Sequence, residues 1–260
     1  MPNPNRRLLP ILLLALAILL GMSVTAWAQD EGPHRVFLPL AMPAPTSCSP
    51  TGARYASLPV NPPPTDIPAA KHPDLNLALR GYAQANAPAA YIWINGPTDP
   101  GAPLLSTLFA PARQPNIESA ARVYDWDWAQ NRRGAPIADP PVTLITLDAR
   151  PRELLYLPDS GYDLGQGYEA LVLYAEHHRI TLKYTREDNV VWGYTLHLES
   201  VCVDPNLVAL YQRLDRAGRE HLPALQAGQP FARALDRPLA IAIRDTGKFM
   251  DPRSIKDWWR

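Results

Sequence analysis

Residues 169–199, EALVLYAEHHRITLKYTREDNVVWGYTLHLE, restrict the fold more than any other stretch of this chain. Ile180, Leu182 and Tyr184 alternate with Thr181, Lys183 and Thr185; Val190, Trp192, Tyr194, Leu196 and Leu198 alternate with Val191, Gly193, Thr195, His197 and Glu199. A period of two is the signature of a half-buried strand. The polar run Thr185–Asn189 between them has hairpin length, so the pattern predicts Leu182 opposite Trp192 and Ile180 opposite Tyr194. Ala170–Ala175 is apolar on both faces, as a covered central strand would be, and His177-His178 then falls at a turn. The reading is a three-stranded antiparallel meander at the centre of a β-rich core.

The flanks add weaker elements. Arg122–Trp128, Val142–Leu147, Glu153–Leu157 and Pro238–Arg244 are expected strands, and Tyr91–Ile94 another. His72–Tyr82 fits either a strand or a short helix. One good helix is expected near 205–217. Asp204 is its N-cap and Pro205 its first-turn residue, Leu207, Leu210, Tyr211 and Leu214 form its stripe, and Gly218 ends it. The fold class is therefore all-β or β-dominated, an antiparallel sheet or sandwich with one main helix, as a single domain over 69–260.

The first 28 residues have the layout of a secretory leader: Arg6 and Arg7, an apolar Leu8–Leu20 too short to span a bilayer, and Ala26-Trp27-Ala28 as a cleavage site. A Pro-rich arm follows at 29–68, with ten prolines in its 40 residues. Without Arg6 and Arg7, 25 − 2 = 23 basic residues face 25 acidic ones. A charge of −2 is no footprint for nucleic acid. The exported part would carry both cysteines, Cys48 and Cys202, and an oxidising compartment favours their pairing.

Motifs that invite chemistry are few. Asp245-Thr246-Gly247 is flanked by Arg244 and Lys248 and is a turn rather than an aspartic-protease site. Asp125 and Asp127 are spaced i, i+2 on a strand, so both could face one cleft and serve glycosidic or calcium chemistry. Their ordinary reading is a solvated face opposite Trp126 and Trp128 in the core. His72, His178 and His197 could meet across strands with Glu199 as a metal site, but no ligand pair sits on one element, and side chains that simply face water explain them as well. No cofactor or metal is expected, and the catalytic candidates remain Asp125, Asp127, His197 and Glu199.

Three segments resemble the lysostaphin-type zinc metallopeptidases that cut peptidoglycan cross-links. Leu225-Gln-Ala-Gly-Gln229 looks like their Gly-Gln turn, Leu239–Pro252 (LAIAIRDTGKFMDP) like their strand and Gly-Lys…Asp-Pro hairpin, and His72-Pro-Asp-Leu-Asn76 like their His-x-Gly-x-Asp ligand segment. The resemblance implies a related sheet with the metal lost: Pro238, Ala240 and Asn76 stand at ligand places, and only His72 remains. The ending DTGKFMDPRSIKDWWR is also similar to that of secreted bacterial proteins. The expected function is a non-catalytic binding domain of the cell envelope, with polysaccharide or peptidoglycan as partner. A hydrolase and a structural envelope protein are the alternatives.

Overall fold

The structure, a computed structural model, describes residues 48–260. The expected leader and residues 29–47 of the Pro-rich arm lie outside the described residues. One antiparallel sheet dominates. Its strands run, in spatial order, β1 (Ala56–Pro59), β11 (His221–Gln226), β7 (Tyr168–Glu176), β8 (Arg179–Lys183), β9 (Tyr194–Glu199), β13 (Leu239–Asp245), β5 (Leu144–Leu147), β3 (Ile117–Asp127) and β2 (Tyr82–Gln84). Two further strands pair off this path, β14 (Lys248–Phe249) on β13 and β4 (Arg132–Pro136) on β3. A second, three-stranded sheet has the order β10 (Val201–Val203), β12 (Pro230–Ala234), β6 (Leu154–Tyr156). The helix α1 (Pro205–Arg216) packs on β11 and β7, and a single turn, α2 (Ile255–Trp258), closes the chain. No helix among the described residues is long and apolar enough to cross a membrane.

The expected meander is present as β7, β8 and β9, with His177-His178 turning β7 into β8. Its second hairpin is different. Leu182 pairs with Leu196 and Ile180 with Leu198, not with Trp192 and Tyr194. Residues 184–193 form a broad loop, and Trp192 is 61% exposed. The cause is Asp188. Its carboxylate is drawn inward to Arg219, whose Nε and Nη2 donate to it at 2.7 and 2.6 Å. A tight hairpin would put Asp188 at a solvent-facing tip and leave Arg219 buried without its partner, which is far costlier than a few exposed apolar side chains.

Both faces of the central strands are covered. On one, Ile180, Leu198 and Ile241 form a row, and Leu182, Leu196 and Ile243 another. On the other, the rows are Lys183–Thr195–Arg244, Thr181–His197–Ala242 and Arg179–Glu199–Ala240. This polar face was expected to meet solvent. Instead residues 72–80 lie over part of it: Thr181 Oγ1 donates to Leu75 O at 2.6 Å, and Lys183, Thr195 and His197 are buried.

The helix starts as its sequence dictates. Asp204 accepts from Asn206 N at 2.8 Å, and Pro205 opens the first turn. The same carboxylate accepts from Thr51 N at 2.6 Å and Thr51 Oγ1 at 2.7 Å, beside the Cys48–Cys202 disulfide, whose Cα atoms are 5.3 Å apart. Part of the expected arm, Ala56–Pro59, thus joins the sheet. The non-proline stretch Ala56–Leu58 supplies the donors a ladder needs, and β1 pairs with β11. Trp258 and Trp259 fold back into the core, their indole N–H groups donating to Asp251 O and Pro252 O at 2.8 Å each. Tyr91–Ile94 contributes a single bridge, Ile92 to Ser254, and no strand.

Candidate functional site

One cleft gathers side chains from several elements at one end of the sheet. Residues 72–80 enter it through a short 3-10 turn at Leu77–Leu79, whose carbonyls are capped by Arg133: Nε donates to Leu79 O at 2.7 Å and Nη2 to Ala78 O at 3.1 Å. The turn ends at Arg80, which is buried. From the other side, β13 delivers Arg244 and reverses into β14 over Thr246 and Gly247. Both have positive φ, 47° and 82°, so the turn is of the primed type that fits the strand twist. Arg244 Nε and Nη2 donate to Gly247 O at 2.9 and 2.6 Å, which holds the guanidinium across its own turn.

Both arginines converge on one carboxylate. Arg80 Nη2 and Arg244 Nη1 each lie 2.7 Å from Asp74 Oδ1. Burial pushes the Asp74 carboxyl up, but Arg244 and Arg80 overcome this and leave it at about 2. Phe249 packs under the pair, its ring centroid 4.5 Å from the Arg244 guanidinium carbon and 5.8 Å from that of Arg80. Above them opens a cleft of about 420 Å³, walled by Arg80, Asp125, Arg244, Lys248 and Asp139 and floored by Ile137, Pro140, Phe249 and Met250. That size is typical of small-ligand sites.

The expected site residues are dispersed around this centre. Asp125 stands on the cleft rim, 3.5 Å from Arg80 Nη1. Asp127 faces a different arginine, Arg132, at 3.8 Å and accepts from Gln130 N. A bulge in β3 between Tyr124 and Trp126 breaks the alternation that would have aligned the two acids, and Trp128, expected inside, is 50% exposed. His72 Nδ1 accepts from Asp74 N at 3.1 Å, and its ring meets Trp128 edge-on at 5.6 Å. Burial holds its pKa below the usual histidine value. His178 sits on the β7–β8 turn near Val201 O.

His197 is fully internal. Thr181 gives its proton to Leu75 O, so it accepts from His197 Nδ1 at 3.0 Å, and the imidazole is neutral with Nε2 bare. Burial lowers its pKa to about 3. Glu199 lies 3.6 Å from Arg179, with its carboxyl raised by burial. No group of three His, Cys, Asp or Glu among the described residues is placed to hold a metal ion. Asn76, at the ligand-aspartate place of the resemblance, donates to Ala70 O.

Sequence reasoning missed Arg80, Asp74, Arg244 and Lys183. The available signal was charge inside apolar alternation: an arginine ending LALR and another ending LAIAIR. A strand or turn that carries a cation toward the core needs an anion from elsewhere, and no local rule says which. Compared with family models, with curated proteins and with solved structures, the chain matches none.

Proposed function

We propose that this chain is an exported, non-catalytic binding domain of the cell envelope whose ligand is a polysaccharide or peptidoglycan. One observation carries the reading: the rings of Trp93, Trp128 and Trp192 stand 67%, 50% and 61% exposed on a domain that buries Trp258 and Trp259. Large aromatic faces left in water are a cost that sugar stacking recovers. The leader-like residues 6–28 and the disulfide support export. The likeness to lysostaphin-type domains, with Asn76, Pro238 and Ala240 at ligand places, supports recognition of peptidoglycan without cleavage.

The test is co-sedimentation of the purified protein with peptidoglycan sacculi and with insoluble glucans and chitin. Binding to at least one is expected, and Trp192→Ala or Trp128→Ala should weaken it about tenfold or more. Failure to bind any would return the structural envelope reading. A hydrolase is the second reading, favoured by the raised carboxyl of Glu199 beside Arg179. Turnover of any of these polymers that Glu199→Gln abolishes would make it the first. Elemental analysis bears on the metallopeptidase branch. We expect no stoichiometric zinc and no cleavage of peptidoglycan peptides; one equivalent of zinc, lost with activity in His178→Ala or His197→Ala, would reverse that expectation.

A further inference from the structure

We infer that residues 72–79 are a strap that lifts off the sheet while the rest of the domain stays folded, and that lifting it extends the cleft past Phe249 onto Thr181, Thr195 and His197. The first observation is how the segment is attached. Its own backbone hydrogen bonds are local: Leu75 N and Asn76 N donate to His72 O, Leu79 N to Asn76 O, and Arg80 N to Leu77 O. No backbone hydrogen bond joins it to a strand among the described residues. Side chains alone hold it down, so no ladder breaks when it moves. The fixed end is Gly81, whose carbonyl accepts from Tyr124 N just before β2 begins. At φ 64° it turns the chain in a way that glycine permits without strain.

The second observation is what the strap covers. Leu75 O takes the Thr181 hydroxyl proton, and Thr181 in turn accepts from His197 Nδ1. Asp74 reaches Arg244. Thr195 lies between these two contacts, two residues before His197 on β9 and opposite Arg244 on β13. Thr195 Oγ1 and His197 Nε2 are buried with no hydrogen-bond partner among the described residues, as is Asn76 Oδ1 on the strap itself. Each such atom is a cost of the closed form that water relieves on opening. The ties that break are replaceable. Asp74 keeps Arg80 from its own stretch of chain, and Arg244 keeps Gly247 O. Arg133, which holds Ala78 O and Leu79 O, is exposed and turns to water instead. Leu75 and Leu77, both buried, oppose the motion. The closed form is therefore the populated one, and the open form is a minor state reached at less cost than unfolding. The uncovered face adjoins the cleft: the His197 ring stacks on Phe249 of the cleft floor, with centroids 6.3 Å apart. Lifting the strap thus gives a molecule in the cleft access to a neutral imidazole whose Nε2 is free.

The experiment is native-state hydrogen exchange in urea below the unfolding transition, read at the amides of Leu75, Asn76, Leu79 and Arg80 against those of β9 and β13. Once detached, so short a stretch does not hold its turns, so its amides exchange when it lifts. After correction for intrinsic rates they are expected to exchange about tenfold or more ahead of the strands, with a shallower dependence on urea. Cys48→Ser with Cys202→Ser acts on the unfolded chain, so it should speed exchange in the strands and leave the strap unchanged. Asp74→Asn should speed the strap about tenfold. Carbethoxylation of His197 at neutral pH, with the exposed His221 as internal reference, should follow the strap: faster in Asp74→Asn and unchanged by loss of the disulfide. The inference is overturned if the strap amides share the rate and urea dependence of the strands, if Asp74→Asn leaves them unchanged, or if His197 reacts only as the strands exchange.

Discussion

Lys183 ends β8, fully buried, between Leu171 of β7 and Thr195 of β9. Its ammonium has no hydrogen-bond partner among the described residues, and burial lowers its pKa to about 8. In the unfolded chain it titrates near 10.4. Between these values the unfolded state binds more protons, so stability rises with pH from about 8 to about 10. Below pH 8 both states are charged, and the full penalty, roughly 3 kcal/mol, is present. Above pH 10 the buried tyrosines, raised by burial at Tyr184 and Tyr211, reverse the trend as the unfolded chain ionises. Lys183→Met should therefore stabilise the fold at pH 7 by about 1–3 kcal/mol and lose that advantage by pH 10; denaturant titrations at several pH values measure it, and a destabilised variant at pH 7 would refute it. His197 acts at the other end of the scale. Neutral inside with a pKa of about 3, it withholds a proton that the unfolded chain takes up below 6.5. Its contribution is thus lost as pH falls from about 6.5 toward 3, and His197→Asn should flatten the stability profile in that window.

At the scale of elements, the loop 184–193 shows how one ion pair displaces a hairpin. Arg219 spends its donors on four groups: the Asp188 carboxylate, Leu173 O in β7, and Tyr211 and Asp215 in α1. It joins loop, strand and helix. Arg219→Ala should cost about 3–5 kcal/mol because it leaves Asp188 buried and unpaired. Replacing both as Arg219→Met with Asp188→Leu should recover much of the loss, since the charge to be matched is then gone; an equal loss in the double variant would place the effect in packing instead. The consequence for the loop tip is opposite. Asn189 Oδ1 accepts from Val191 N, and Gly193, at φ 56°, has no room for a Cβ beside Thr185, so the backbone is fixed while Trp192 stays in solvent. Trp192→Ala should change stability by about 0.5 kcal/mol or less. A large drop in thermal midpoint would mean the ring is buried.

For the whole molecule, the decisive cross-link joins residues 154 apart in sequence. It ties the start of the described chain to β10 and lies beside the Thr51–Asp204 contacts that cap α1. Closing a loop of that length stabilises by about 5 kcal/mol at most in the chain-entropy view. Intact mass after alkylation should reveal two thiols only once the protein is reduced, and Cys48→Ser with Cys202→Ser should lower the denaturation midpoint by several kelvin or more. Free thiols in the native protein would contradict this.

What the sequence determined by itself was local. Alternation in Arg179–Lys183, Tyr194–Glu199 and Leu239–Asp245 made strands, because one residue in two must face a core whatever else happens. Asp204-Pro205 made a helix start, and Thr246-Gly247 made a turn, because those side chains satisfy or permit a backbone geometry within a few residues. The tertiary structure alone decided what covered the second face of the sheet, and so why Lys183 and His197 are inside. It also decided that Asp188 would reach Arg219 and push Trp192 outward, and that Arg80 and Arg244 would share Asp74. Asp188 meets Arg219, 31 residues on, and Asp74 meets Arg244, 170 residues on. A buried charge is costly unless matched, but the match is set by which elements pack together, and a periodic pattern read along one strand carries no record of that.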